Sequence, residues 1–279
     1  MKKCLWRTMR EVGKLLDNLF LKSCRDQVKP LLWWGAGIAA LVLITMLFYP
    51  SMRDGPDFSE MLDSMPEPLM KALVGEFTDF RSPEGFLGSQ LFFLMVPLLY
   101  LLFSIISASG TIAVEEKRGI LEMLLSYPIA RRSVVVQKFL ALVVAGFVLG
   151  ICLWSSLLLG ILLVSMEISL LRVTETVASA FFFGTAFSAL TLFLSAATGN
   201  RGLSVGIASS VAFASYIIYT MGPQVDLLEP FSKVSPFHFY IGSNPLVNGL
   251  DMVHVGTLLG IATVFLYLAI FTFERRDIR

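Results

Sequence analysis

Charge is scarce in this chain: Asp, Glu, Lys and Arg make up 15% of its 279 residues, against about 25% in an ordinary soluble domain. That shortage excludes the water-facing surface of a conventional enzyme. Histidine occurs only as His238 and His254, 16 positions apart and without the i, i+4 spacing of a helical zinc pair. A surface or interfacial role is expected for each. The three cysteines, Cys4, Cys24 and Cys152, form neither a metal-ligand pattern nor an even set, so a disulfide framework is not expected. The chain has no G-x-x-x-x-G-K-[ST] loop to cradle phosphates and no G-x-S-x-G elbow to present a nucleophile. Catalytic, cofactor-binding and metal-binding residues are accordingly expected to be absent. No basic stripe is interleaved with aromatics on a polar surface, which argues against a nucleic-acid partner. Asp54, Asp57, Glu60 and Asp63 lack the glycine-and-oxygen loop of a calcium site and read as a solvated face.

Apolar residues are abundant, at 56% with a mean hydropathy of +0.74, and they are grouped. A bilayer core about 30 Å thick needs about 20 helical residues. Six blocks qualify: 30–49, 87–114, 139–164, 177–198, 203–221 and 255–273. The expected fold is an all-α integral membrane protein with six transmembrane helices, formed by residues 30–279 behind a basic segment, 1–29. Only Gly199-Asn200-Arg201-Gly202 separates the fourth and fifth blocks, a turn-former cluster that reads as a tight helical hairpin.

Basic residues set the orientation. With both termini cytoplasmic, 17 of the 22 lysines and arginines lie inside, and eight acidic residues gather in the first external loop, 50–86. Within residues 1–29, Leu5, Met9, Val12, Leu16, Leu19 and Phe20 recur at helical spacing, while Lys3, Arg7, Arg10 and Lys14 take other faces. An amphipathic helix in the membrane interface, anchored by Trp6 and anionic lipids, is expected; a solvated basic tail is the alternative. The following apolar run ends at Phe48-Tyr49-Pro50 without a small-x-small cleavage site, so it is not read as a signal peptide. In loop 50–86, Met61, Leu62, Met65, Leu69, Leu73 and Phe77 suggest short surface helices broken by Pro66 and Pro68. Segment 222–253, with Pro223, Pro230, Pro236 and Pro245 among aromatics, is expected to return toward the membrane under protein cover.

No ionisable residue lies well inside a block: Glu115 and Glu274 mark inner ends, and Glu167 and Glu175 flank the outside. An ion-coupled carrier is therefore disfavoured, as is an inverted-repeat transporter, because no internal repeat is visible. Hydroxyl and aromatic side chains mix along the fourth and fifth blocks. Phe182, Thr185, Ser188, Ser209, Phe213 and Tyr216 are candidate lining for an amphipathic substrate path. Interhelical hydrogen bonding with lipid-facing aromatics is the plainer alternative. The small-x-x-x-small pairs Gly146 with Gly150, Gly184 with Ser188, Gly202 with Gly206 and Gly256 with Gly260 read as packing.

The most specific stretch is the inner loop 115–138. Charges leave the membrane at Glu115-Glu116-Lys117-Arg118, Gly119 follows, and Ile120, Leu121, Leu124 and Leu125 form an apolar stripe at helical spacing. Pro128 then breaks the run. A short amphipathic helix over 119–126 suits docking into a groove on a cytoplasmic partner; lying on the headgroups is the alternative.

The pattern E-E-K-R-G-x-L-E-x-L-L-S-x-P-x-x-R-R-x-x-x-x-x-K closely resembles the loop between the second and third spans of ABC type-2 transporter permeases. The end of the chain is similar too: a proline- and aromatic-rich external segment, a final span, then Phe273-Glu274-Arg275-Arg276-Asp277. The resemblance implies a permease, exporting in sense, in the plasma (inner) membrane of a bacterium or archaeon. It implies two ATP-binding subunits that hold ATP and Mg2+, and a second permease, identical or homologous. Its ATPase-coupling residues would be Glu115, Glu116, Lys117, Arg118, Gly119, Leu121, Glu122, Leu124, Leu125, Pro128, Arg131 and Arg132. It names no cargo. A non-transporting membrane scaffold or immunity protein that recruits a cytoplasmic partner is the alternative function.

Overall fold

The computed structural model describes residues 2–54, 81–121, 130–222, 225 and 228–276, with side chains described from Leu19 onward. All regular elements among the described residues are helical. In chain order they are α1 (Lys2–Arg53), α2 (Pro83–Leu87), a π-helical turn (Gly88–Phe92), α3 (Met95–Thr111), α4 (Ala113–Lys117), α5 (Arg131–Leu163), α6 (Leu170–Thr198), α7 (Arg201–Met221), α8 (Glu229–Ser232), α9 (Pro236–Ile241) and α10 (Met252–Arg275).

Six helical stretches are long and apolar enough to cross a membrane: Leu19–Arg53, Pro83–Lys117, Arg131–Leu163, Leu170–Thr198, Arg201–Met221 and Met252–Arg275. Each contains one of the apolar blocks to within a residue, so the six-span, all-helical fold expected from the sequence is the one formed. The helices overrun their blocks because polar residues at the block ends continue the backbone ladder. α5 begins eight residues before its block, at Arg131. No helix boundary falls between residues 29 and 30, where the sequence reading divides the chain. Pro30 withholds one N–H from the ladder without ending α1. The apolar positions of loop 50–86 from Met61 to Phe77 lie outside the described residues.

α6 is the centre of the bundle and touches α3, α5, α7, α9 and α10. It can do so because small side chains let its neighbours close in. At Gly184 a Cβ would lie 2.6 Å from the ring of Tyr100, and the bare backbone there accepts a 2.9 Å hydrogen bond from Ser104 Oγ of α3. Such interhelical bonds in membrane proteins average about 0.6 kcal/mol. α1 lies along α5 through Ile38, Val42, Met46 and Tyr49, all buried and one helical turn apart.

Residues 228–251 fold back among the spans. Phe237, Tyr240 and Ile241 of α9 are buried, and Phe183 of α6 has its ring centroid 4.9 Å from Phe237 and 5.1 Å from Tyr240. The Tyr240 hydroxyl donates to the Phe92 carbonyl at 2.8 Å. That carbonyl ends the π-helical turn, where the regular ladder of the second span is interrupted. Ser179 Oγ donates to the Tyr240 carbonyl at 2.6 Å, and Ser235 Oγ to that of Ser215 at 2.8 Å. Irregular backbone is thus satisfied by protein, as an apolar solvent demands.

Candidate coupling site at the charged end

Residues far apart in sequence meet where the loop leaves the second span. Glu115 of α4 binds Lys138 of α5 at 2.5 Å and lies 3.6 Å from Lys22 of α1. Lys138 is two turns inside α5 and 1% exposed. Its ammonium also donates to the Thr111 carbonyl at 2.5 Å, at the C-terminal end of α3, where the helix dipole favours a cation. A buried ammonium without such partners would be strongly destabilising. The sequence reading counted Lys138 as a loop charge; it is a buried charge within a spanning helix.

Glu116 forms a two-pronged pair with Arg276, with Nη2–Oε1 at 2.6 Å and Nη1–Oε2 at 3.1 Å. The fork of guanidinium donors matches the two carboxylate oxygens. Arg276 Nη1 also donates to the Ala196 carbonyl of α6 at 3.2 Å. Gly199, the left-handed cap of α6 with φ +60°, lies directly beneath, and a Cβ there would overlap the guanidinium. The turn expected at 199–202 is present: Asn200 caps α7, accepting from the Gly202 N–H at 2.9 Å. Arg131 closes the ring by donating to the Arg276 carbonyl at 2.7 Å and to that of Phe273 at 3.3 Å. These contacts place the N-terminal side of the first span, the loop, the α6–α7 turn and the end of α10 on one face of the bundle.

The remaining loop residues divide. Lys117 and Arg118 are exposed, and Gly119 is exposed with φ +69°. Leu121 is fully buried against Ala108, Ile112, Val135 and Phe139 of this same chain. It roots the loop in the permease. Glu122, Leu124, Leu125 and Pro128 lie outside the described residues, and Arg132 is exposed. Lys22, Lys138 and Arg276 were not singled out from sequence as site residues. Lys138 and Arg276 do stand in the quoted patterns, but nothing there pairs residues 23 and 160 positions apart.

The six candidate path residues do not come together. Ser209, Phe213 and Tyr216 line a groove of about 270 Å³ with Leu94, Leu98 and Phe237, between α3 and α7. Phe182 lines a different groove of about 310 Å³ between α5 and α6. Thr185 and Ser188 are buried in the core, and Thr185 bonds back to the Phe181 carbonyl at 2.8 Å. His238 and His254, distant in sequence, lie with ring centroids 5.1 Å apart. Among the described residues no group of three or more His, Cys, Asp or Glu is placed to hold a metal ion.

No curated protein matches the chain. A family model described as ABC-2 family transporter protein matches residues 18–278. The match runs from the first span to the residues just past Arg276 and includes the whole of the charged site. With its six helices, the chain is a multi-pass membrane protein that belongs to the ABC-2 transporter family, a permease component of an ABC transporter.

Proposed function

We propose that this permease exports its substrate with energy from ATP and Mg2+ bound by two copies of a separate subunit, beside a second permease of the same or homologous sequence. The charged end faces the cytoplasm of a bacterial or archaeal cell, as the excess of lysine and arginine at that end favours. The N-terminal part of α1, which continues unbroken into the first span, meets anionic headgroups through its lysines and arginines. Loop 115–138 receives the motion of the ATP-binding subunit. The observation that carries this reading is the pairing of its first residues: Glu115 and Glu116 hold Lys22, Lys138 and Arg276, at the ends of the first, third and sixth spans. A displacement of the loop is thereby delivered to several spans together. Its energy derives from nucleotide binding differently to two states of the complex. Leu121 anchors the loop, while Leu124 and Leu125 supply the face that enters the partner's groove. The substrate path follows the groove of Ser209, Phe213 and Tyr216.

Co-purification from native membranes tests it. A nucleotide-binding subunit should accompany the wild-type permease, and Leu125→Asp should abolish that association while the six spans still insert. The cost of placing the carboxylate in an apolar contact is several kcal/mol. Normal association and ATPase stimulation in Leu125→Asp would overturn the coupling assignment. A wild-type protein that brings down no nucleotide-binding subunit would favour the scaffold.

A further inference from the structure

Between α3 and α4 the second span is broken at Ile112, whose φ and ψ are −105° and −55°. In an unbroken α-helix the Ala113 N–H would donate to the Ser109 carbonyl, four residues earlier. Instead it donates to Ser195 Oγ of α6 at 3.2 Å, and that same hydroxyl donates to the Ser109 carbonyl at 3.2 Å. One serine thus occupies a gap in the ladder of a neighbouring helix and satisfies both halves of the opened bond. A hydroxyl can do this because it donates and accepts at one atom. A side chain inserted into the i→i−4 ladder is a recognised cause of helix kinks. Ser195 is 0% exposed, so its hydroxyl is shielded from bulk solvent. Two residues on, Lys138 takes the Thr111 carbonyl at 2.5 Å and so holds the break from α5 as well. Immediately beyond the break come Glu115 and Glu116, the paired residues of the loop.

We propose that Ser195 is a positioning residue for coupling: its hydroxyl wedges the second span open at Ile112 and sets the angle at which the loop leaves the bundle. The span has two satisfied arrangements. With the hydroxyl inserted, both backbone groups bond to it. With the hydroxyl withdrawn, Ala113 bonds Ser109 directly, and Ser195 turns back to a carbonyl of its own helix, the usual alternative for a helical serine. Each arrangement makes two hydrogen bonds with these groups, so a modest force on the loop exchanges them. This is the kind of discrete alternative by which small displacements become switches. The inference rests on the coupling role proposed for loop 115–138, but its geometric half can be measured without any partner.

The test is a distance. Spin labels at Arg118, just past the break, and at Arg201, at the start of α7, are introduced into the full-length permease in lipid nanodiscs. Both positions are exposed. Ser195→Ala should close the ladder and shift the interspin distance by about 3 Å, the displacement from a 20° change acting over about 8 Å of helix. Adding Ala113→Pro removes the N–H that closes the ladder, so the double variant should return to the wild-type distance. An unchanged distance in Ser195→Ala, or a shift that persists in the double variant, would overturn the wedge. A Ser195→Ala protein that fails to fold would overturn it too, because a closed ladder leaves no backbone group unpaired. In the complex, Ser195→Ala should keep its nucleotide-binding subunit and lose most ATPase stimulation. Lost stimulation at an unchanged distance counts against the wedge; absence of the subunit from wild type as well counts against the coupling reading alone.

Discussion

At the charged end of the bundle, Glu115 and Glu116 tie distant helices together through Lys22, Lys138 and Arg276; at the opposite end, Phe183, Phe237, Tyr240 and Tyr216 do so by ring packing around one π-helical turn. The ring pairs add about 0.5–1.5 kcal/mol each beyond their buried area and tolerate small shifts. The ion pairs are different in kind. Their strength lies in the large penalty for separating them, so an end built from them moves as a unit or exchanges partners.

The largest expected effect breaks the charged end. Glu115→Ala leaves Lys138 buried with only the Thr111 carbonyl, and loss of one partner from a buried pair costs about 3–5 kcal/mol. Thermal unfolding in detergent should show a large fall in midpoint. Glu115→Leu combined with Lys138→Met should recover most of it, since replacing both charges by apolar groups is often neutral. A double variant as unstable as the sum of its single variants would show that the pair is not the source of the effect.

Next comes Tyr240→Phe, which keeps the ring and deletes the hydroxyl. The Phe92 carbonyl then has no donor from Tyr240, at a cost of about 1–3 kcal/mol. If stability were unchanged, the aromatic end would rest on packing alone, and the hydrogen bond to the π-helical turn would be incidental.

These two sites were unequally legible in the sequence. The six spans were readable because apolar blocks of about 20 residues have one physical outcome in a bilayer. The tight α6–α7 turn followed from Gly199 and Asn200, whose local chemistry is enough. The loop was readable as a motif. Its pairing was not, because Lys138 and Arg276 reach Glu115 and Glu116 only through tertiary packing. Lys138 in particular looked like a loop residue, since the apolar block begins one position later while the helix begins at Arg131. Tyr240 was noted among apolar groups, but its partner at Phe92 depends on a π-helical turn that periodicity does not reveal. Small-residue spacing marked close packing at α5 and α6, where a Cβ added at Gly150 or Gly184 would press on Tyr100. At Gly206, Gly256 and Gly260 of α7 and α10 it would meet none of this chain's described residues within 4 Å.

Gly199→Ala should cost about 1–2 kcal/mol for holding a side chain in the left-handed region, and its Cβ overlaps the Arg276 guanidinium. Arg276→Ala in the same background removes the overlap and leaves the backbone term. The Gly199→Ala substitution should therefore destabilise less when Arg276 is already gone. Equal costs in both backgrounds, measured by a double-mutant cycle in thermal or denaturant unfolding, would mean that the guanidinium does not sit on the turn.

The smallest effect sharpens the comparison by repeating the chemistry of Tyr240→Phe in another setting. Trp154→Phe also deletes one aromatic donor, here the Nε1–H that bonds Thr174 Oγ1 at 2.9 Å. Thr174 does not lose its structure, because its hydroxyl still donates to the Leu170 carbonyl at 2.8 Å. The ring that remains keeps much of its contact with the groove of Phe147, Ile151 and Phe181. Trp154 is also 36% exposed, so little is stranded without a partner. The expected loss is about 0.6 kcal/mol, the average for a hydrogen bond between membrane helices, and it should be clearly below that of Tyr240→Phe in the same unfolding assay. The difference between the two variants then measures what happens to the acceptor: the Phe92 carbonyl loses its tyrosine donor, whereas the Thr174 hydroxyl keeps its own bond. A loss in Trp154→Phe as large as in Tyr240→Phe would defeat that explanation and make the donor itself, rather than the fate of its partner, the quantity that decides stability.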